Sequence, residues 1–536
     1  MKDEDFPINK KILDEFINYN SSLWVDDKFD IDDSLSSSGE TIFINLSMVR
    51  MQVAWIIPKL LFAKGIQSKH GGNIVAITWR ENSDLTEFFS SFGVGHYCIE
   101  KENKKNISSA IRALAYTIKV IMYGDGEKLK KFSIGNIPVG RAIYEDILRT
   151  SEISTIRSIR NYTCIKKIFH LLWMYFTLED YLKNHKPSFD ICDDCAYHEA
   201  MQTALFSRSG AVVYNCSEEA ERFIGVSEEG IVKRISEDLQ EKVRMNIDTV
   251  SEEDLECINR ILEDRFAGKN GRNIDRHAFA GKKVLSKEEA FAELGLNPKK
   301  KTVIIMAHTF TDAVFNYGDT PFKDYYDWTE QTLRIASLND HVNWILKPHP
   351  TRKAYHESKD SIEDLFKRYK TDNMHFLEDR FSAESIKNFV DVLITIGGNA
   401  GAEFSCFGIP AVIVGSPYYK GLGYTIEPGT LKEYEDILGN IQDINRLNDS
   451  QIKTARKAFF LTTQRMDKML GKGFNDRFCI ELKKKYNNML DEMTTDYFES
   501  NKGTEKYNTE ILKFVEEWQR TNDIKECDYY LRGTEK

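Results

Sequence analysis

The chain holds 536 residues, 41% of them hydrophobic and 29% charged, an ordinary globular balance. Its 32 Phe, 24 Tyr and 7 Trp exclude a largely disordered chain, and its 11 Pro and 31 Gly exclude a collagen-like one. The net charge of −10 argues against a duplex nucleic-acid binder, which needs a basic face to release phosphate counterions; no nucleic-acid partner is expected.

The N-terminus, MKDEDFPINK, has no apolar core of a secretory signal. The longest mainly apolar stretch, Val53 to Ala63, is interrupted by Pro58 and Lys59 and falls short of the roughly 20 residues of a spanning helix. Nine Cys without regular spacing suit a reducing compartment. The expectation is a cytoplasmic protein, with the inner face of a membrane as the alternative position.

Residues 1–40 read as a polar lead-in. Thr41 to Leu46 is β-rich, Val49 to Gly65 helical, and Asn73 to Trp79 β-rich again. Strand, helix, strand at this spacing is a βαβ unit and implies a parallel sheet. A helix follows over Asn106 to Tyr123, then a long helical stretch over 139–184. Phe189 to Asp194 reads as a strand ending in carboxylates, and Ala211 to Asn215 as the next strand. Residues 217–285 are charged and weakly periodic, and read as an insertion in a first domain spanning 41–285. Ser286 with Glu289 forms a capping box and opens a helix that stops at Gly295 to Pro298.

A second βα series starts at Lys301. Its strands are Thr302–Ala307, Val342–Lys347, Asp391–Ile396 and Ala411–Val414; its helices are Tyr325–Ser337, Ser361–Tyr369 and Ala400–Phe407. The second domain is expected over 286–440, and 441–536 as a helical tail. The fold expected is α/β and GT-B-like: two Rossmann-like domains facing a cleft.

In open α/β sheets, ligands bind at the carboxyl ends of the strands. Three polar clusters fall there in the second half: Ala307 to Asp312, Lys347-Pro348-His349-Pro350, and Gly397 to Glu403. Gly397 and Gly398 permit close backbone approach, the helix that follows presents free N–H groups to a phosphate, and Glu403, read in its first turn, suits ribose hydroxyls. His349, held between two prolines, suits a phosphate oxygen and a leaving group. His308 belongs to the same cleft, while Asp312 and Asn316 shape its loop.

In the first half, Asp193 and Asp194 follow a strand, where a carboxylate suits a base or nucleophile; helix capping by Asp194 fits equally well. Cys192-x-x-Cys195 lacks further ligands at zinc spacing, and acids between the thiols disfavour a redox role. No metal and no cofactor are expected. The apolar face from Ile168 to Phe176, with Lys166, Lys167 and Lys183, suits a core first and a membrane surface second; peripheral membrane association stays open.

Taken together, the runs Ala307 to Asp312, Phe322 to Trp328, Lys347 to Pro350, Gly397 to Glu403, Gly408 to Val412 and Gly415 to Tyr419 resemble bacterial capsule and surface-polysaccharide biosynthesis proteins, the group containing the retaining β-Kdo transferases. Ile137 to Tyr144, with Leu148-Arg149, is similar to an N-terminal motif of such proteins. The resemblance implies a metal-independent GT-B glycosyltransferase using a CMP-activated donor and a glycan or lipid-linked glycan acceptor. It also implies nucleotide binding by His349, Pro350, Gly397, Gly398 and Glu403, to which the strand-end clusters add His308, Lys347 and Asn399. An N-terminal carboxylate would be the nucleophile, Asp194 first and Asp193 second. Asn399 stands where the family pattern leads one to expect Ser or Thr. A nucleotide-sugar 2-epimerase, a CDP-glycerol glycerophosphotransferase and a non-catalytic glycan-assembly partner are the competing readings.

Overall fold

Among the described residues, twelve strands form two six-stranded sheets of the same order. The computed structural model describes residues 40–47, 72–80, 83–151, 153–193, 195–216, 221–223, 235–267, 284–350, 360–377 and 381–464, with scattered positions elsewhere. The first sheet holds β1 (Glu40–Asn45), β2 (Asn73–Thr78), β3 (Gly95–Cys98), β4 (Lys186–Cys192), β5 (Val212–Cys216) and β6 (Glu221–Phe223), in the order β3-β2-β1-β4-β5-β6. Every pairing is parallel except β5 with β6. The second sheet holds β7 (Thr302–Met306), β8 (Asn343–Lys347), β9 (Met374–Phe376), β10 (Val392–Thr395), β11 (Ala411–Ile413) and β12 (Thr425–Ile426), in the order β12-β11-β10-β7-β8-β9. It is parallel throughout.

Read from its own first strand, each sheet therefore runs 3-2-1-4-5-6, the doubly wound order. The order reverses between β1 and β4 in one sheet and between β7 and β10 in the other, and ligand crevices open at those points. The central strands are buried on both faces. Val303, Ile304 and Ile305 of β7, and Val392, Leu393 and Ile394 of β10, have no exposed surface, as helix-covered parallel strands require.

The long helical stretch expected over 139–184 is two helices, Gly140–Ser151 and Tyr162–Leu182, the second capped by the Asn161 side chain. Gly140 allows the first to start in close contact, because a Cβ there would run into the Leu129 carbonyl. Ile168, Leu171, Leu172, Met174, Tyr175 and Phe176 are buried, so that face is core and not a membrane surface.

Residues 217–285, expected as a charged insertion of the first domain, contain helices Ile235–Asn246 and Glu252–Phe266. Leu239, Val243, Leu255, Ile258, Leu262 and Phe266 join the core that also holds Ile304 and Leu393. The apolar positions 255, 258, 262 and 266 keep helical spacing, but the surrounding charges mask it in a composition count. The helix Asp449–Gln464 packs on this same group. The rest of the expected tail, and most of the helix expected over 49–65, lie outside the described residues. No described helix is long and apolar enough to cross a membrane.

The two halves are stitched together by side chains. Asp324 Oδ2 accepts from Tyr144 Oη and from Thr155 Oγ1, both at 2.6 Å. Lys130 Nζ donates to the Lys323 carbonyl at 3.1 Å, Lys323 Nζ to the Ile156 carbonyl, and Arg141 pairs with Asp319. One apolar cluster runs from Phe43 and Ile77 of the first sheet to Val303 and Ile305 of the second.

Candidate active site between the two sheets

At the second switch point, the β7 and β10 ends are joined by side chains. His308, two residues beyond β7, lies with Nε2 3.1 Å from Thr395 Oγ1 of β10. The same hydroxyl accepts from Gly398 N at 3.3 Å. Tyr325, Tyr317 and Trp328 surround the imidazole, with ring centroids 4.9, 5.6 and 6.3 Å away. Burial, helped by the neighbouring His349, pulls the His308 pKa down to about 3. His308 is therefore a neutral imidazole at neutral pH.

The Gly-rich turn is shaped by two tyrosines. A Cβ on Gly397 would sit 2.7 Å from the Tyr317 ring. Tyr419 Oη donates to the Gly398 carbonyl at 2.7 Å, and its hydroxyl occupies the space a Gly401 side chain would take. Glycine at 397 and 401 is thus a packing requirement. The helix that follows, Asn399–Ser405, begins with Gly398 as N-cap and an exposed Asn399. Glu403 is its fifth residue, beyond the first turn where it was expected. It is buried and paired with Arg265 Nε at 2.9 Å. Lys347 ends β8, and its carbonyl accepts from Ala307 N at 2.9 Å, which holds the two strand-end loops side by side. His349 and Pro350 follow, both half-buried.

Across the cleft, the first sheet presents its own polar cluster at the β1 and β4 ends. Asp194 lies outside the described residues. Asp193 is buried, with Oδ1 3.3 Å from Lys59 Nζ. Its backbone N–H donates to Glu199 Oε1 at 2.9 Å, and Cys195 N donates to Glu199 Oε2 at 3.2 Å. Cys195 and Tyr197 both hold positive φ, 52° and 55°, a costly conformation for residues with a Cβ. The Cys192 and Cys195 sulfurs are 3.2 Å apart and buried; burial raises the Cys192 thiol well above its ordinary range.

Sequence reasoning places Tyr197, His198 and Glu199 just after this strand end but passes over Ser47, Glu145, Asp146 and Gln202. His198 Nδ1 is 2.5 Å from Asp146 Oδ2, and Nε2 is 3.2 Å from the Ser47 carbonyl. Ser47 Oγ donates to Gln202 Oε1 at 2.5 Å. Glu145 Oε2 accepts from Tyr197 N at 3.2 Å, and its Oε1 accepts from Phe315 N of the second half at 2.9 Å. The available signal was an acid pair, Glu145-Asp146, between Ile143-Tyr144 and Ile147-Leu148 on a helix. Carboxylates are almost never buried without partners.

Three comparisons with known proteins bear on this arrangement. Residues 267–436 match the family model described as capsule polysaccharide biosynthesis protein, a stretch that contains the whole second sheet. No curated protein matches. Among solved structures, a β-Kdo 2,4-transferase, KpsC of Thermosulfurimonas dismutans, is similar at 14% identity, with 52% of this chain and 80% of that one covered and a TM-score of 0.31. A glycosyltransferase from Rickettsia africae is similar at 10% identity, covering 84% and 98%, with a TM-score of 0.27. The UDP-GlcNAc 2-epimerase of Methanocaldococcus jannaschii is similar at 10% identity, covering 81% and 99%, with a TM-score of 0.26. Residues 267–436 are thus similar to the capsule polysaccharide biosynthesis family.

Proposed function

We propose that the protein is a glycosyltransferase of surface or capsular polysaccharide synthesis. In this reading it moves Kdo or a related acidic sugar from a CMP-activated donor to a glycan acceptor, without a metal. The observation that carries the reading is the closed arrangement at the β7–β10 switch point: His308 bonded to Thr395, Gly398 N on the same hydroxyl, and His349 on the next strand end. It lies within a segment that matches the capsule polysaccharide family.

The nucleotide phosphate would lie against the 397–398 turn, with His349 donating to it and Lys347 adding positive charge. Neutral His308 would hold the turn through Thr395 without competing for charge. In a retaining double displacement, a carboxylate oxygen from the first half attacks the anomeric carbon as the bond to the phosphate oxygen breaks, and CMP leaves with the electron pair. The acceptor hydroxyl then attacks the same carbon, loses its proton to a base and releases the carboxylate. Asp194, with Asp193 second, remains the proposed nucleophile.

Thermal shift of the full chain with CMP, CDP and UDP tests the donor class. Stabilisation by CMP alone supports the reading, whereas stabilisation by UDP alone overturns the donor assignment. Turnover of a CMP-sugar that survives EDTA supports metal independence; loss restored by Mn²⁺ or Mg²⁺ overturns it.

A further inference from the structure

Helix Ile107–Tyr123 carries a stripe of apolar side chains facing solvent. Ile107 is 74% exposed, Ile111 63%, Leu114 53%, Ile118 55% and Met122 76%. These positions follow a spacing of four, three, four and four, which keeps them on one face at 3.6 residues per turn. The opposite face, Ser109, Ala113, Thr117 and Val120, is buried.

The stripe's direction is fixed by polar staples on the inner side. Arg112 donates to Glu179 at 2.6 Å and to Asp180 at 2.5 Å. Asn106 caps the helix through Ser109 N and also donates to Asp180. Ser109 Oγ lies 2.9 Å from Thr177 Oγ1 and accepts from Trp173 Nε1 at 3.1 Å. Rolling the helix to hide the stripe would break all of these bonds.

Charge around the stripe runs against the charge of the chain. From Asn103 to Gly124 there are four basic residues, Lys104, Lys105, Arg112 and Lys119, and no acidic one, with Glu102 and Asp125 bounding the segment, in a chain of net charge −10. Arg112 and Lys105 are paired with acids, while Lys104 and Lys119 are exposed. At the far end exposed Arg160 donates to the Ile121 and Met122 carbonyls, and Tyr162, two residues on, is 78% exposed.

We propose that this face docks the protein in the plane of an anionic lipid bilayer. An apolar stripe one side chain wide, flanked by cations and an aromatic, is the pattern of an interfacial helix. A second copy of the chain fits less well. One helix face is narrower than the roughly 800 Å² per partner of a stable dimer. A two-fold interface through this face would also bring the lysines of one copy toward those of the other.

Vesicle flotation of the full chain tests this, using phosphatidylcholine with and without phosphatidylglycerol. The wild type is expected to float with the anionic vesicles and to release as salt rises. Ile111→Glu/Ile118→Glu is expected to lower binding at least about tenfold, since it puts two charges on the inserted face. Lys104→Glu/Lys119→Glu is expected to remove the preference for anionic lipid. All four sites are exposed, so circular dichroism melts should match the wild type; Leu114→Gln is the milder variant if they do not. Wild type that floats with neither vesicle overturns the proposal. So does binding unchanged by the Ile substitutions, or a solution dimer, seen by light scattering, that Ile111→Glu/Ile118→Glu splits.

Discussion

The Tyr197 hydroxyl donates to Asp312 Oδ1 at 2.8 Å and accepts from Ala313 N at 3.0 Å. The first residue of a first-half helix thereby pins the loop that follows β7, whose Ala313 holds a positive φ of 40°. Glu145 adds a second link by accepting from Tyr197 N and Phe315 N with its two oxygens. The loop that carries His308 is thus set from across the cleft.

Tyr197→Phe removes one oxygen from that link. The expected loss of unfolding free energy is about 1–2 kcal/mol, the net worth of the two hydrogen bonds that the hydroxyl makes. Glu145→Ala should cost more, because two buried backbone donors lose their acceptor. Urea unfolding of both variants checks the order. A Glu145→Ala protein as stable as the wild type would mean that the loop is held elsewhere.

Much of this was legible in the sequence. The strands β7, β8, β10 and β11 are apolar runs ending in Gly, Pro or His, and period and punctuation locate them within a residue or two. The short edge strands β3, β9 and β12 give no such signal, because two to four residues are too few to show alternation. The strand-end clusters of the second half were legible because ligand chemistry there is local in sequence. Most of the first-half cluster was not: Ser47, Asp146, His198 and Gln202 meet only once the β1 end and two helices are assembled. Glu403 was misplaced because the helix starts at Asn399, so its carboxylate meets Arg265 from a helix 138 residues away in the chain.

His349→Ala should weaken CMP binding by about 1.5–3 kcal/mol, the range of a hydrogen bond to a charged group, and lower turnover with it. Isothermal titration with CMP reads the first effect and a sugar-transfer assay the second. Unchanged affinity and turnover would remove His349 from the site.

Gly397→Ala tests the shape of the turn. The new methyl group would lie 2.7 Å from Tyr317 ring atoms, too close for any real contact, so the ring or the turn must move. Overpacking of this kind costs typically 1–3 kcal/mol, and nucleotide affinity should fall as the turn shifts. A crystal structure or a CMP titration of the variant would check this. A turn that accepts the methyl group with affinity intact would show that close approach at 397 is not used.

Asp190 gives a pH dependence with a definite sign. It lies in β4, fully buried, and the nearby Thr203 hydroxyl offsets only part of the cost of burying its charge. Burial raises its pKa from 3.8 to about 7. The folded state therefore holds this proton more tightly than the unfolded chain. Its contribution to stability is intact below pH 3.8 and lost as pH rises through about 7. The loss is about 4 kcal/mol at 1.36 kcal/mol per unit. Asp190→Asn should flatten this part of the stability–pH profile and be more stable than the wild type at pH well above 7. Denaturant unfolding at a series of pH values measures it. Parallel profiles for the two proteins would show that the carboxylate is solvated or paired.

The choice of nucleophile can be decided by chemistry. The phosphate is proposed on the second half, so a double displacement needs its carboxylate on the first half, across the cleft. Asp193 is buried and faces Lys59 at 3.3 Å, an ion pair that lowers its nucleophilicity and makes it the second choice. Glu199 and Glu145 are each committed to two backbone N–H groups, and Asp146 is bonded to His198. Asp194, next to Asp193 in the sequence, remains the first choice. Asp194→Asn keeps the side chain's size and removes its charge, so CMP binding should survive while transfer falls by several orders of magnitude. Asp193→Asn should chiefly destabilise the fold, since it removes the charge that faces buried Lys59 at 3.3 Å. Incubation with donor alone, followed by intact-mass analysis and peptide mapping, identifies the residue that carries the sugar. An adduct on Asp194 supports the assignment. An adduct on Asp146 or Asp193, or near-normal turnover in Asp194→Asn, transfers the role to another member of the cluster.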